Sequence, residues 1–493
     1  MKPMLSNFKS RFAIAIAHLM FFAVAGAMEE SVVRPNILFI VTDQQFADAM
    51  SNRMGKEFLH TPAMDSLAEK GLLFTHAYSS NPLCVPFRAS VFTGRHSHEI
   101  GVVNNLDIKV KIPADKFPSM GTWFQNGGYK TAYSGKWHLP FNIQDPKSHG
   151  FEIVTAKGPR GDHDAAVTRG AIRFLKRPHD KPFLLVACYL NPHDICEWTR
   201  HLAGRNQFFP CGEIGEPPAN GPLPPAPANL APQRNEPDGM ALMRRSYQVE
   251  TGIFPVSKFT EVDWQKFHWG YHRMIEKVDA EIGKLLAALR DAGLEDDTMV
   301  VFTSDHGEAG GSHGWNQKTV FYDESSRIPL IITGKGVARA ATTDKLVNSG
   351  IDLLPTLMDL AGIEIPDQLP GHSLAPLLNG AANTPWQDHI VAQNDLDQGS
   401  PIDGVKPSLQ GRMVRSERYK YCVYSYGKQR ESLVDMRNDP GETVNLAADP
   451  AHRAALLEHR ELLAHFGREH KDPLAATLLA DDVKPIPFPA AAE

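Results

Sequence analysis

Four stretches of the chain are apolar at nearly every position and then stop in polar residues. They are NILFIVTD (36–43), PFLLVACYLNPHD (182–194), TMVVFTSDHGE (298–308) and RIPLIITG (327–334). A short run with no polar face fits a strand covered on both sides. Other stretches follow helical spacing. In YHRMIEKVDAEIGKLLAALRDAG (271–293), Met274, Ile275, Val278, Ile282, Leu285, Leu286 and Leu289 recur at three- and four-residue steps, with Gly293 as the stop. TPAMDSLAEKG (61–71) has Pro62 in its first turn and Gly71 at its end, and IDLLPTLMDLAG (351–362) adds a further helix. RASVFTGR (88–95) opens another. Strands alternating with helices predict an α/β fold with a central, mostly parallel sheet flanked by helices. In such sheets the functional crevice lies beyond the carboxyl ends of the strands. Asp43, His193, Asp305 and His306 stand at three such ends.

Two regions break the rhythm. Residues 211–238, CGEIGEPPANGPLPPAPANLAPQRNEPD, are rich in Pro, Ala and Gly and read as a semi-rigid surface insertion. Beyond about Trp386 the alternation of GRMVRSERYKYCVYSY (411–426) predicts antiparallel strands, and PAHRAALLEHRELLAHF (450–466) a closing amphipathic helix. The expected organisation is a large domain over 28–385, a smaller α+β domain over 386–475 and a loose tail over 476–493. No internal repeat is evident.

The first 27 residues differ from the rest. Lys2, Lys9 and Arg11 precede the apolar FAIAIAHLMFFAVAGA, which ends in Ala25-Gly26-Ala27. This has the build of a secretory signal peptide cut before Met28, and no Cys sits at the cut to carry a lipid. No other apolar run is long enough to span a bilayer. Export, to a periplasm or the exterior, is therefore expected, without a stable membrane anchor. The full chain, at 42% apolar and 22% charged residues, has ample material for a core. The formal charge of −6 becomes more negative once the leader is gone, which argues against a nucleic-acid partner. An anionic substrate would need positive charge concentrated locally. Five cysteines are too few for a disulfide scaffold. Cys188 lies within an apolar run, and Cys196 and Cys211 flank a loop and could pair.

Three constellations carry chemistry. Asp43-Gln44 and Asp305-His306 end two buried strands, and hard cations such as Ca²⁺ take carboxylate and amide oxygens in irregular sets. An Asp at a strand end also serves as an ordinary helix cap. Lys136 and His138 in SGKWH, His193 in NPHD and Lys318 in HGWNQKTVFYDE are placed to clamp a tetrahedral anion, although any one of them alone fits a solvated surface. Cys84, with Arg88 four residues on, is either a low-pKa nucleophile or an inert buried thiol.

Taken together these motifs resemble one family. CVPFRASVFTG (84–94) is similar to the sulfatase signature, Cys-x-Pro-x-Arg followed by Thr-Gly. NILFIVTDQ resembles the family's first metal strand, SGKWHL its Lys-x-His motif, NPHD its Pro-His motif, and VVFTSDHGE with HGWNQKTVFYDESSRIPLII its second metal strand and active-site lysine. YKY and VDMRNDPGETVNLA resemble its C-terminal domain, so the likeness runs from Asn36 to Leu446. The resemblance implies an alkaline-phosphatase-like fold and a type I sulfatase, in which a maturation enzyme oxidises Cys84 to formylglycine (3-oxoalanine). The hydrated aldehyde attacks sulfur, and its second hydroxyl then expels sulfate. Asp43, Gln44, Asp305 and His306 would hold one Ca²⁺ with residue 84, and Arg88 would support the metal-site carboxylates and the diol. Lys136 and Lys318 would neutralise sulfuryl oxygens, His138 would take the diol proton, and His193 would donate to the leaving oxygen or bind the sulfate. The implied substrate is a sulfate ester, preferably on a carbohydrate, with the Pro-rich insertion as a cleft wall; Trp198, Arg200, His201, Arg205, Trp315 and Asn316 either face a sugar there or belong to a packing loop. The alternatives are a phosphate or phosphonate monoester hydrolase of the same superfamily, and an inactive glycan-binding relative. Phe87, Gln44 and His306 depart from the commonest residues of the pattern, a small residue, Asp and Asn respectively.

Overall fold

The computed structural model describes residues 34–156, 162–205, 209–210, 212–250, 252–381 and 383–480. The expected leader and Cys211, with its possible disulfide, lie outside them; Cys196 itself is a free, buried thiol.

The larger part of the chain contributes β1 (Asn36–Asp43), β2 (Gly71–Phe74), β3 (Ala77–Tyr78), β4 (Lys130–Gly135), β5 (Glu152–Thr155), β6 (Phe183–Pro192), β7 (Thr298–Ser304), β8 (Leu330–Thr333), β9 (Ala341–Thr343) and β10 (Val347–Asn348). β3 and β10 pair with each other, and the rest form an eight-stranded sheet in the order β5-β4-β6-β1-β7-β8-β2-β9. Only β8 runs antiparallel to its neighbours; the other pairings are parallel. The apolar runs are explained by burial on both faces. Along β1, Ile37, Phe39 and Val41 enter one core while Leu38 and Ile40 enter the other. β6 and β7, its neighbours on either side, divide their side chains in the same way.

The second core is covered by the helix Glu261–Asp291, ten residues longer at its start than the periodicity from Tyr271 suggests. A capping box sets that start: Thr260 Oγ1 accepts the Asp263 N–H at 3.3 Å, and Asp263 Oδ2 accepts the Thr260 N–H at 2.8 Å. Trp264 and Phe267 extend the apolar stripe through the added turns. The first core is covered by the helices Cys84–Thr93 and Ser349–Leu360. The former begins at Cys84 itself and stops at Gly94, whose φ of 65° is the left-handed cap that glycine adopts without penalty.

The C-terminal part forms a separate antiparallel sheet, β11 (His389–Leu396), β12 (Leu409–Ser416), β13 (Tyr419–Tyr424) and β14 (Glu431–Asp435), as the alternation predicts. One face packs on the closing helix Arg453–Glu469 through Val414, Tyr421, Leu433, Leu456 and Leu463. A second helix, Pro473–Leu479, carries helical chain past residue 475. The other face packs through Met413, Cys422 and Tyr424 on Trp315, Val320 and Phe321, the segment around Lys318. Lys420 Nζ fixes that segment by donating to the Phe321 carbonyl at 2.9 Å and pairing with Glu442 at 2.8 Å. Described residues 212–237 hold no helix and no ladder strand. Their latter part is nonetheless pinned. Arg234 N–H donates to Thr443 O at 2.9 Å, and Asn445 N–H donates to Arg234 O at 3.0 Å.

Candidate active site

The site forms where four, not three, strand ends meet. β1 ends in Asp43, and Gln44 follows with φ of 71°, a left-handed turn that aims its amide back across the sheet edge. β7 ends at Ser304, followed by Asp305 and His306. β6 ends at Pro192, just before His193. β4 is the added strand and delivers Lys136 and His138, the latter at φ of 44°. Cys84 reaches the same point from the first turn of its helix, the end whose dipole favours negative charge.

Arg88 ties these parts together. It is 1% exposed, and its guanidinium donates through Nε to Asp305 Oδ2 and through Nη2 to Asp43 Oδ2, both at 3.0 Å, and through Nη1 to the Lys136 carbonyl at 3.2 Å. A planar fork meets this bridging demand, which an ammonium cannot. Lys136 Nζ also pairs with Asp43 Oδ2. Lys318, buried, donates to Gln44 Oε1 at 2.9 Å and to Cys84 Sγ at 3.2 Å. His306 Nε2 lies 3.2 Å from Cys84 Sγ, while its Nδ1 is 3.0 Å from the Gly307 carbonyl, an acceptor that sets the tautomer.

The electrostatics follow from this crowding. Burial and the Asp43 carboxylate push the Cys84 thiol up, but Lys318, Lys136 and His306 outweigh them and hold it well below the usual thiol value. Asp43 is also held low: burial raises it, and Lys136, His193, Arg88 and Lys318 lower it further. Burial and the charge of Asp43 push Asp305 up to about 6. Burial, followed by Lys136 and Lys318, holds His193 well below its ordinary value; burial also depresses His138. Both imidazoles are therefore neutral at pH 7. Lys136 pairs with Asp43, Lys318 donates to Cys84, and the charges of Lys136, Lys318 and Asp43 all act on His193, so these five groups lie close together at the strand ends. Arg88, Lys136 and Lys318 concentrate positive charge at the strand ends, against Asp43 and Asp305.

The side-chain ligand atoms of Asp43, Cys84, Asp305 and His306 all lie within 4.8 Å of one another. Asp43 Oδ1 is buried without a hydrogen-bond partner. A buried anionic oxygen lacking a donor is costly, and a cation satisfies it. Gln44 enters this region differently from the other expected ligands, spanning from Lys318 to Glu308, which accepts its Nε2 at 2.5 Å.

Some expectations fail. Trp198 is 1% exposed and donates its indole N–H to the Lys266 carbonyl at 3.0 Å inside the core, and Trp315 is wholly buried beside Tyr247. Neither is exposed to meet a sugar; both rings are buried in the protein's cores. Arg200 and Arg205 are engaged with backbone carbonyls of Ile253 and Gly252, each at 3.0 Å. Sequence reasoning gave no role to Glu308, whose one signal was its place in SDHGE, or to Tyr271. The Tyr271 hydroxyl donates to Gln44 O at 2.7 Å and accepts from Phe46 N at 2.9 Å, which holds the turn after β1.

An α/β sheet edge with paired carboxylates, two buried cations, a third that is half-buried and a helix-borne thiol fits a hydrolase of the alkaline phosphatase superfamily. Within it, the chain belongs to the sulfatase family, the sulfuric ester hydrolases: the family model for sulfatases matches residues 35–363, and the model described as N-sulphoglucosamine sulphohydrolase, C-terminal, matches 311–468. A Delta 4,5-hexuronate-2-O-sulfatase of Bacteroides thetaiotaomicron is 30% identical, the match covering 91% of this chain and 92% of that protein. The solved structure of BT1596, a 2-O GAG sulfatase, superposes with a TM-score of 0.78 at 28% identity, covering 90% of this chain and 94% of that one. The phosphonate monoester hydrolase of Agrobacterium radiobacter, at 24% identity and a TM-score of 0.70 over 89% and 96% of the two chains, shares the fold.

Proposed function

We propose that the protein removes sulfate from a sulfated carbohydrate, with residue 84 acting as formylglycine beside one bound Ca²⁺, and that it acts after export. The observation that carries this reading is the placement of Cys84 Sγ 3.2 Å from both Lys318 Nζ and His306 Nε2, next to carboxylates that Arg88 bridges. The unpartnered Asp43 Oδ1 and the oxygen-rich donor set fit a hard cation. Asp43, Gln44, Asp305 and His306 would hold it together with residue 84. Bound there, the cation would supply Lewis acidity and make the residue 84 hydroxyl more nucleophilic.

The chain's own groups account for the rest. Lys136 and Lys318 are fixed cations that meet the charge growing on the sulfuryl oxygens, and they need no reorganisation during reaction. Neutral His138, its Nδ1 free of any hydrogen-bond partner, accepts the proton released from the residue 84 side chain. Neutral His193 donates a hydrogen bond to the ester oxygen that becomes the leaving alcohol. Arg88 keeps Asp43 and Asp305 ionised and oriented. The 2-O-sulfatase likeness supports a uronate-containing oligosaccharide as substrate.

The test is sulfate release, followed by ion chromatography, from a panel of sulfated unsaturated disaccharides, alongside an aryl sulfate and the matching aryl phosphate. Release from at least one disaccharide, with the aryl sulfate turned over faster than the phosphate, is expected. Faster phosphate turnover would favour the phosphonate-hydrolase alternative. No turnover of any ester would favour a binding protein.

A further inference from the structure

Behind Gln44 stands Glu308, 4% exposed and two residues beyond His306. Its Oε1 accepts the backbone N–H groups of Gly310 at 3.0 Å and Gln317 at 2.5 Å, so the carboxylate cannot turn. Its Oε2 accepts Gln44 Nε2 at 2.5 Å, and the other end of that amide, Oε1, accepts Lys318 Nζ at 2.9 Å. The polarity runs in one direction, from Lys318 through Gln44 to Glu308. An ammonium only donates and a carboxylate only accepts, so this pair of neighbours fixes which way the amide faces.

We infer that Glu308 is a positioning residue: it holds the Gln44 amide oxygen-forward, and that oxygen in turn anchors the Lys318 ammonium 3.2 Å from the side chain of residue 84. The inference rests on the sulfatase reading for its assay but on these contacts for its logic. The same forward oxygen is the one Gln44 would offer to a cation bound beside Asp43 and Asp305.

Isosteric exchanges give a signed test. In Glu308→Gln, the new amide must keep its oxygen on the Gly310 and Gln317 N–H groups, so its NH₂ faces that of Gln44. Gln44 then turns over and presents a donor to Lys318. In Gln44→Glu, two carboxylates meet. In the double variant Gln44→Glu/Glu308→Gln, the rear amide donates to the front carboxylate, which still accepts from Lys318. Each single variant should lose turnover of an aryl sulfate on the order of tenfold to a hundredfold, the scale of a lost hydrogen bond to a charged group. The double variant should exceed both singles, a non-additivity expected only of groups in direct contact. Calorimetry with calcium alone should show weaker binding in Glu308→Gln and recovery in the double variant.

A double variant that binds calcium no better than Glu308→Gln and turns over no faster than either single would overturn the inference, as would Glu308→Gln at wild-type levels in both readouts. If Glu308→Gln fails to fold, the comparison of Gln44→Glu with the double variant decides. A wild type inactive on every sulfate ester would instead defeat the sulfatase reading, and the calcium measurements would still test the role of Glu308.

Discussion

Replacing Lys318 by methionine keeps the side chain's length and apolar stem and removes only the charge. Burial lowers the affinity of Lys318 for its proton, but Cys84, Cys196 and Asp43 restore and exceed it, so the ammonium is fully present at neutral pH. At the observed 3.2 Å from the residue 84 side chain, and with an effective dielectric constant of about 20, a full charge pair is worth roughly 5 kcal/mol. Each sulfuryl oxygen gains only part of a charge in the transition state, which brings the expected contribution to about 3–4 kcal/mol, a factor on the order of 10²–10³ in turnover. The assay is kcat and KM on an aryl sulfate, with rates divided by the modified fraction of residue 84 measured by mass spectrometry on the same sample. Lys318→Arg should not rescue, because the larger, planar guanidinium must be buried where the compact ammonium meets both Gln44 Oε1 and Cys84 Sγ. A Lys318→Met enzyme within tenfold of wild type at equal modification would refute the assignment of transition-state charge to this residue.

Other outcomes follow from the same geometry. Arg88→Met leaves Asp43 and Asp305 buried without their bridge and should cost about 3–5 kcal/mol in denaturant unfolding, with activity abolished; Arg88→Lys should recover little of either. Calcium at a hundred times its Kd should raise the stability of chelator-stripped protein by about 2.7 kcal/mol and restore turnover, whereas unchanged activity in chelator would contradict a metal in the site. Asp279 caps the helix Pro62–Lys70 from the side by accepting the Met64 N–H at 2.8 Å and the Ala63 N–H at 3.1 Å, and burial pushes its carboxyl up to about 6. The folded state therefore keeps this proton longer than the unfolded one, so the group's stabilisation is complete below about pH 4 and is lost as pH rises through about 6. Relative to Asp279→Asn, the wild type should lose on the order of 2–3 kcal/mol of unfolding free energy across that window, and parallel pH profiles would exclude the effect.

The legible parts of the fold were those in which local pattern and burial coincide. β1, β6 and β7 lie at the centre of the sheet with both faces covered, so they are apolar without interruption, and their polar ends mark the site. β4, KTAYSG, lies one strand further out, carries Lys, Thr and Ser within six residues, and shows no such run, although the Lys136 and His138 motif that follows it was recognisable. The Pro-rich insertion betrayed its composition but not its attachment: Asn229 Nδ2 donates to Gly441 O at 3.1 Å and Gln233 Nε2 to Glu442 O at 2.8 Å, across more than 200 residues of chain. No local signal encodes a backbone partner that distant. Trp198 was misjudged because its surroundings in sequence are polar, while in space it fits against Gly270, where any side chain would collide with the indole. Glu308 was passed over because its partners, Gln44 and the Gln317 amide, converge only after β1 and β7 pair.

The central claim is that residue 84 does its work as an aldehyde and not as the encoded thiol. The direct measurement is mass spectrometry of the Cys84-containing peptide from purified, active enzyme, compared across preparations of differing specific activity. The account predicts the aldehyde mass at this position and activity that rises in proportion to its fraction. Full activity from protein whose Cys84 is wholly an unmodified thiol would contradict it.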